Sequence, residues 1–369
     1  MSVQTTDLLR AGVEKLRPYV PGKPIDEVKR ELGLPDDLEI IKLASNENVL
    51  GPSPRALAAI AEAAPESWLY PDDTCFELKN ALAKFWDVAP EQLVIGNGSD
   101  EILHFLGLAF LDRDDEVVFG EPSFVQYKAA AMLANVTYVP VPLDAEMRHD
   151  LRAMKAAITE RTKMVFIANP NNPTGTTVSR ADFEEFLEDL PPRVVVVLDQ
   201  AYYEYVMTDD SPNALDYIRA GHNVVALHTF SKAYALAGLR VGYGIASPEL
   251  AGYLQQVRGP FNVNLPAQAA AIASLHDDEQ VAKAYACNSA GLEQFYAAFD
   301  ELGLKYVPSE ANFVLFNVGR NAKTVADSLM RRGVIVRVGF GLPDMIRVTV
   351  GTRAMNERFI SSLREVLSA

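Results

Sequence analysis

At 369 residues the chain is too long for one small domain and suits a large α/β domain with a smaller one beside it. Hydrophobic residues make up 49% and charged residues 22%, the balance of an ordinary globular protein with ample material for a core. The formal net charge of −15 repels nucleic acid and anionic membranes, so neither is an expected partner, and any anionic ligand must be held by locally placed arginines, lysines and backbone N–H groups.

Five histidines without ligand spacing and two distant cysteines, Cys75 and Cys287, suggest neither a metal site nor a disulfide framework. No apolar leader and no run of membrane-spanning length is seen, so a cytoplasmic protein is expected. Residues 1–37 are polar and broken by Pro18, Pro21, Gly22, Pro24, Gly33 and Pro35, and read as an arm. From Ile40 onward, strand-like runs alternate with helical patterns. A strand is expected over 93–96 and a helix over 100–111, with Ile102, Leu103, Leu106 and Phe110 on one face. A strand at 116–119, a turn at Glu121-Pro122, a helix over 124–134 and a strand at 136–139 follow. Further short runs rich in β-branched residues fall at 164–168, 194–198, 224–227 and 241–246. This alternation predicts a mainly parallel sheet covered on both faces. After about residue 275 a long helical stretch, strands at 313–317 and 346–350, and a closing helix at 353–368 predict a smaller α/β domain. The expected division is therefore an arm at 1–37, a large domain at 38–275 and a small domain at 276–369.

Ligands of open α/β sheets bind beyond the carboxyl ends of strands, and four such loops are unusual here. Gly96-Asn97-Gly98-Ser99-Asp100-Glu101 suits a phosphate held at a helix start, and equally suits an N-cap by Ser99 or Asp100. Asn169-Pro170-Asn171-Asn172-Pro173-Thr174-Gly175 reads as a rigid turn that aims the Asn172 amide into the crevice. Asp199 ends the most apolar strand, where a carboxylate needs a partner: an N-cap, an arginine or a protonated heteroaromatic nitrogen. Tyr202 lies close enough to face the same ligand. Thr229-Phe230-Ser231-Lys232 follows another buried strand. There, desolvation would make Lys232 a nucleophilic amine, while Thr229, Ser231 and Arg240 would hold a phosphate.

In this order the loops resemble the class I/II group of fold-type-I pyridoxal-phosphate (PLP) aminotransferases. The most specific pieces are Asn172-Pro173-Thr174-Gly175, Asp199 with Tyr202, and Ser231-Lys232 with Arg240. Within the group the chain is similar to the histidinol-phosphate aminotransferase family. The matching stretches are Arg17-Pro18-Tyr19-Val20-Pro21-Gly22-Lys23-Pro24, Leu43-Ala44-Ser45-Asn46-Glu47-Asn48, Gly51-Pro52-Ser53-Pro54, Tyr70-Pro71-Asp72, residues 231–242 and residues 346–353. The resemblance implies a large domain with a mostly parallel mixed sheet sandwiched by helices, plus a smaller C-terminal α/β domain. It also implies that Lys232 holds PLP as a Schiff base and shuttles the proton, and that Asp199 pairs with the pyridine nitrogen. Asn172 and Tyr202 would bond the phenolic oxygen, and Phe124 would stack on the ring. Ser99, Asp100 (through its N–H), Thr229, Ser231 and Arg240 would cradle the phosphate, with Tyr70 reaching in from the second subunit of a homodimer that shares its active sites.

Arg347 matches the arginine that forks onto a substrate α-carboxylate. Arg337 reads either as a second cation for a substrate phosphate or as a solvent-facing strand end, and Tyr19 either closes over the substrate or simply packs. The implied reaction passes an amino group from L-histidinol phosphate to 2-oxoglutarate, giving imidazole-acetol phosphate and glutamate, a step of histidine biosynthesis. Rivals are an aromatic amino-acid aminotransferase and a PLP-dependent threonine-phosphate decarboxylase. A transcription regulator is set aside because the chain is acidic and fewer than forty residues precede the fold.

Overall fold

The computed structural model describes residues 8–9, 13–16, 18, 25–33, 35 and 37–368. Its twelve strands in the described residues are β1 (Ile41–Lys42), β2 (Leu93–Gly96), β3 (Glu116–Glu121), β4 (Thr137–Pro142), β5 (Thr162–Ala168), β6 (Val195–Asp199), β7 (Val224–Thr229), β8 (Gly242–Ile245), β9 (Tyr306–Val307), β10 (Phe313–Asn317), β11 (Val334–Ile335) and β12 (Met345–Thr349). Seven of these form the central sheet in the order β2-β8-β7-β6-β5-β3-β4. Neighbours from β7 to β4 run parallel, and β8 runs antiparallel to both β2 and β7.

The strands at the middle of this sheet carry continuous apolar runs, such as Val195–Leu198 and Val224–Leu227, because both faces are covered. On β6, Val196 and Leu198 join one core while Val195 and Val197 join the other. Residues of β5 and β7 alternate in the same way. The helices Ser99–Phe110, Val125–Ala134 and Pro248–Val257 pack one face through residues such as Leu106, Tyr127 and Leu254. The opposite face is covered by Phe76–Trp86, Arg180–Leu187 and Leu265–Leu275, among others. Among the described residues no helix is long and apolar enough to cross a membrane.

A second layer has its own core. The antiparallel sheet β12-β10-β9 packs against the helices Asp278–Glu301, Ala322–Met330 and Arg353–Ser368 around Phe295, Phe299, Phe316 and Phe359. Two features differ from the sequence-based expectation. β1, placed with the large domain by its sequence position, pairs in parallel with β11, and Ile41 and Leu43 sit in the second core. Long-range pairing, not local pattern, decides this. The arm also carries a helix, Ile25–Leu32, between the breakers Pro24 and Gly33; Val28, with Leu32 beside it, packs onto Ile40, Ala44 and Ile335.

The long helix Asp278–Glu301 lies so close to the end of β12 that a Cβ on Gly291 would meet Val350 Cγ1 at 2.2 Å. Gly291→Ala would gain about 1 kcal/mol of helix propensity and lose about 1–3 kcal/mol to overpacking. The urea midpoint is therefore expected to fall. A midpoint at or above wild type would mean that the helix can back away from β12 freely.

Candidate active site

A cavity of about 210 Å³ opens at the carboxyl ends of β5, β6 and β7, between the central sheet, the segment 44–47 and β12. One end of it is built for an anion. The helix Ser99–Phe110 starts at Gly98, whose φ of 76° lies in the left-handed region and which offers no side-chain cap. The expected cap by Ser99 or Asp100 is therefore not used, and first-turn N–H groups remain for a ligand. Gly98 is required by its positive φ, and Gly242 by crowding, since a Cβ there would sit 2.5 Å from the Ser99 N. Arg240 Nη1 donates to Ser231 Oγ at 3.3 Å, and the Ser231 N–H donates to Thr229 Oγ1 at 3.1 Å. The Asp100 carboxylate lies 3.8 Å from Arg240 Nη2; burial raises its pKa and the Arg240 charge acts against that rise.

At the floor, Asp199 is buried with its pKa pushed up to about 6, chiefly by desolvation. Tyr127 Oη donates to its Oδ2 at 2.7 Å and the Ala201 N–H to its Oδ1 at 3.1 Å. Sequence reasoning missed Tyr127. Its ring stacks on Phe166 at 4.8 Å and meets Phe124 edge-on at 5.6 Å. The available signal was spacing: Tyr127 follows Phe124 by one helical turn, onto the buried face of its helix.

Lys232 Nζ donates to the Ser45 carbonyl at 3.2 Å and lies 5.6 Å from the centre of the Tyr202 ring. Burial, then the Arg347 charge, lowers its pKa to about 8, so the uncharged amine is far more accessible near neutrality than for an ordinary lysine. Tyr202 Oη accepts from Asn46 Nδ2 at 2.8 Å.

The mouth carries two arginines. Arg347 donates through Nη1 to Asn172 Oδ1 and through Nη2 to the Ala44 carbonyl at 2.7 Å, with Phe313 and Phe340 flanking its guanidinium at 5.1 and 5.2 Å. Because Asn172 Oδ1 is engaged, its Nδ2 is the end left for the cavity. Arg337 faces Arg347 across an antiparallel bridge and lines the same cavity.

Tyr19 falls outside the described residues. Tyr70 is absent from the cavity wall of its own chain; it is 80% exposed and stacks on Phe261 at 4.6 Å.

Residues 39–363 match the family Aminotransferase class I and II. The chain is 52% identical to a histidinol-phosphate aminotransferase of Moorella thermoacetica, over 99% of this chain and 95% of that one. It is 48% identical to histidinol-phosphate aminotransferase 2 of Pseudomonas fluorescens over the whole of both chains. Among solved structures, histidinol-phosphate aminotransferase from Sinorhizobium meliloti in complex with pyridoxal-5'-phosphate superposes with a TM-score of 0.88 at 28% identity, covering 97% of this chain and 96% of that one.

Tyr127→Phe leaves the shape and removes one donor from Asp199. The raised pKa means that the folded state holds this proton more tightly than the unfolded chain does. Asp199 therefore costs stability as pH rises from about 4 through about 6. The variant is expected to lose about 2 kcal/mol at about pH 8, where a bond to an ionised carboxylate disappears, and about 1 kcal/mol at about pH 5, where it is neutral. Urea unfolding at the two pH values measures both, and an equal loss at each would contradict the assignment.

Proposed function

The chain belongs to the class I and II aminotransferases, and from that premise we propose that it transfers an amino group between L-histidinol phosphate and 2-oxoglutarate, with pyridoxal 5'-phosphate as cofactor, in histidine biosynthesis. Its fold is type I of the PLP-dependent transferases. The residues present fit the cofactor. The cup at Gly98, Ser99, Ser231 and Arg240 suits its phosphate, Asp199 its pyridine nitrogen, and the half-buried Lys232 amine its aldehyde carbon.

When bound, PLP supplies an electron sink for negative charge developing at the substrate Cα. Asp199, raised by burial yet held by two donors, keeps a proton at the pyridine nitrogen. Lys232 Nζ takes the Cα proton and returns it; a pKa of about 8 lets one amine do both near neutral pH. Phe124 would support the ring face, Tyr202 Oη and Asn172 Nδ2 would bond the phenolic oxygen, and Thr229 and the Asp100 N–H would complete the phosphate cup.

The observation that carries the substrate assignment is the facing pair Arg337 and Arg347. Both side chains line the cavity, so an anion at its mouth would meet two guanidinium charges. A phosphate dianion suits two guanidiniums, while glutamate and 2-oxoglutarate use Arg347 for their α-carboxylate. The exposed side chains Trp68, Leu69, Tyr70 and Phe261 support a homodimer in which Tyr70 of a second copy reaches the cofactor phosphate.

Lys232→Ala is expected to lower turnover at least about 10³-fold and to abolish the cofactor's lysine-linked absorbance. Arg337→Gln should raise the KM for histidinol phosphate about ten- to hundredfold and leave that for glutamate nearly unchanged. Mixing the enzyme in turn with histidinol phosphate, phenylalanine and glutamate, and following bleaching of its visible band, ranks the substrates. Preference for phenylalanine would move the assignment to the aromatic aminotransferases. Release of CO2 from threonine phosphate without 2-oxoglutarate would move it to the decarboxylases.

A further inference from the structure

Behind Tyr202 lies a chain of hydrogen bonds whose donors and acceptors can all be assigned. The Asn46 N–H donates to Thr349 Oγ1 at 3.0 Å. That hydroxyl, already accepting, turns its own hydrogen to Asn46 Oδ1 at 3.1 Å. The carbonyl end of the Asn46 amide is thereby fixed toward Thr349, and its Nδ2 donates to Tyr202 Oη at 2.8 Å. An amide N–H cannot accept, so the phenolic hydrogen of Tyr202 points away from Asn46, on the side where Tyr202 lines the cavity.

We propose that Asn46 and Thr349 are positioning residues that aim the Tyr202 proton into the cavity and set it as a donor to the cofactor's phenolic oxygen. The backbone is shaped for this. Asn46 has a φ of 55°, a left-handed conformation that asparagine adopts more readily than most residues. Its carbonyl accepts from Asn312 Nδ2 at 3.1 Å. Asn46, Thr349, Asn312 and Tyr202 are all buried, where water cannot substitute for a lost donor. Burial raises the pKa of the Tyr202 phenol, while the Arg347 charge and then the bond from Asn46 draw it down, which favours donation. The arrangement also ties chemistry to architecture: Thr349 and Arg347 are two residues apart on β12, so the strand that holds the substrate cation also orients the tyrosine.

The inference rests on the proposed placing of Tyr202 against the phenolic oxygen, and the test separates the two. The readout is the pH midpoint at which the visible absorbance of the holoenzyme titrates. A donor to the phenolic oxygen weakens that oxygen's hold on the neighbouring nitrogen's proton, so losing the donor raises the midpoint. Tyr202→Phe, Thr349→Val and Asn46→Ala should each raise it by about half a unit to one unit, the worth of one hydrogen bond. Thr349→Ser, which keeps the hydroxyl, should return it to wild type, and the Tyr202→Phe/Thr349→Val double variant should go no further than Tyr202→Phe alone. A Tyr202→Phe shift with no shift in Thr349→Val and Asn46→Ala, or an additive double variant, overturns the positioning role and leaves Tyr202 in place. No shift in Tyr202→Phe overturns both. Thermal melts of the apo forms, expected to keep one cooperative transition, separate a redirected proton from a loosened fold.

Discussion

The site is organised around a carboxylate in a place that disfavours charge. Asp199 closes β6, the strand whose other residues divide between two apolar cores, and desolvation there lifts its pKa to about 6. Two fixed donors, the Tyr127 hydroxyl and the Ala201 N–H, hold it without neutralising it. A ligand cation at that point would complete its pairing and offset the cost of burying Asp199. Lys232, just past the end of the adjacent β7, shows the opposite response to the same environment: burial lowers its pKa. One low-dielectric floor thus moves an acid and an amine toward each other's range.

The anion-binding features follow a different logic, because the chain as a whole is acidic. Cationic and N–H groups are concentrated at two ends of the cavity. At one, the uncapped helix start and Arg240 face each other beside Gly98, held at a positive φ, and Gly242, where backbone crowding leaves no room for a Cβ. At the other, Arg337 and Arg347 face each other across a β-bridge. Both clusters and Lys232 line one cavity, a local concentration of positive charge in an acidic chain.

Much of this was legible in the sequence because its signals are local. Polar residues at the ends of apolar runs marked Asp199 and Lys232, and glycine spacing marked the helix start at Ser99. The missed residues depend on what lies across the fold. Tyr127 reads as one more aromatic on a helix until Asp199, on a strand of the sheet beneath, meets its hydroxyl. Asn46 sat in a recognisable stretch without a role, because its partners Thr349 and Asn312 come from the far end of the chain. The capping reading of Ser99 and Asp100 failed for a local reason: a glycine in a left-handed conformation ended the loop first. The helix Ile25–Leu32 was hidden by flanking prolines and glycines, although its few apolar side chains keep helical spacing.

The pairing of β1 with β11 bears on how the protein is made. The segment leading into Ser45, Asn46 and Glu47 forms the front wall of the cavity, and Ile41 can be anchored only when Val334 is available. On a ribosome the central sheet has all its strands long before that, while its ligand-binding edge stays open. β12, carrying Arg347 and Thr349, emerges later still. A nascent or C-terminally truncated chain therefore lacks the wall that orients its reactive groups. Pairing of β1 with β11 cannot precede synthesis of Val334, so the cavity walls at 44–47 and on β12 both depend on the C-terminal third of the chain.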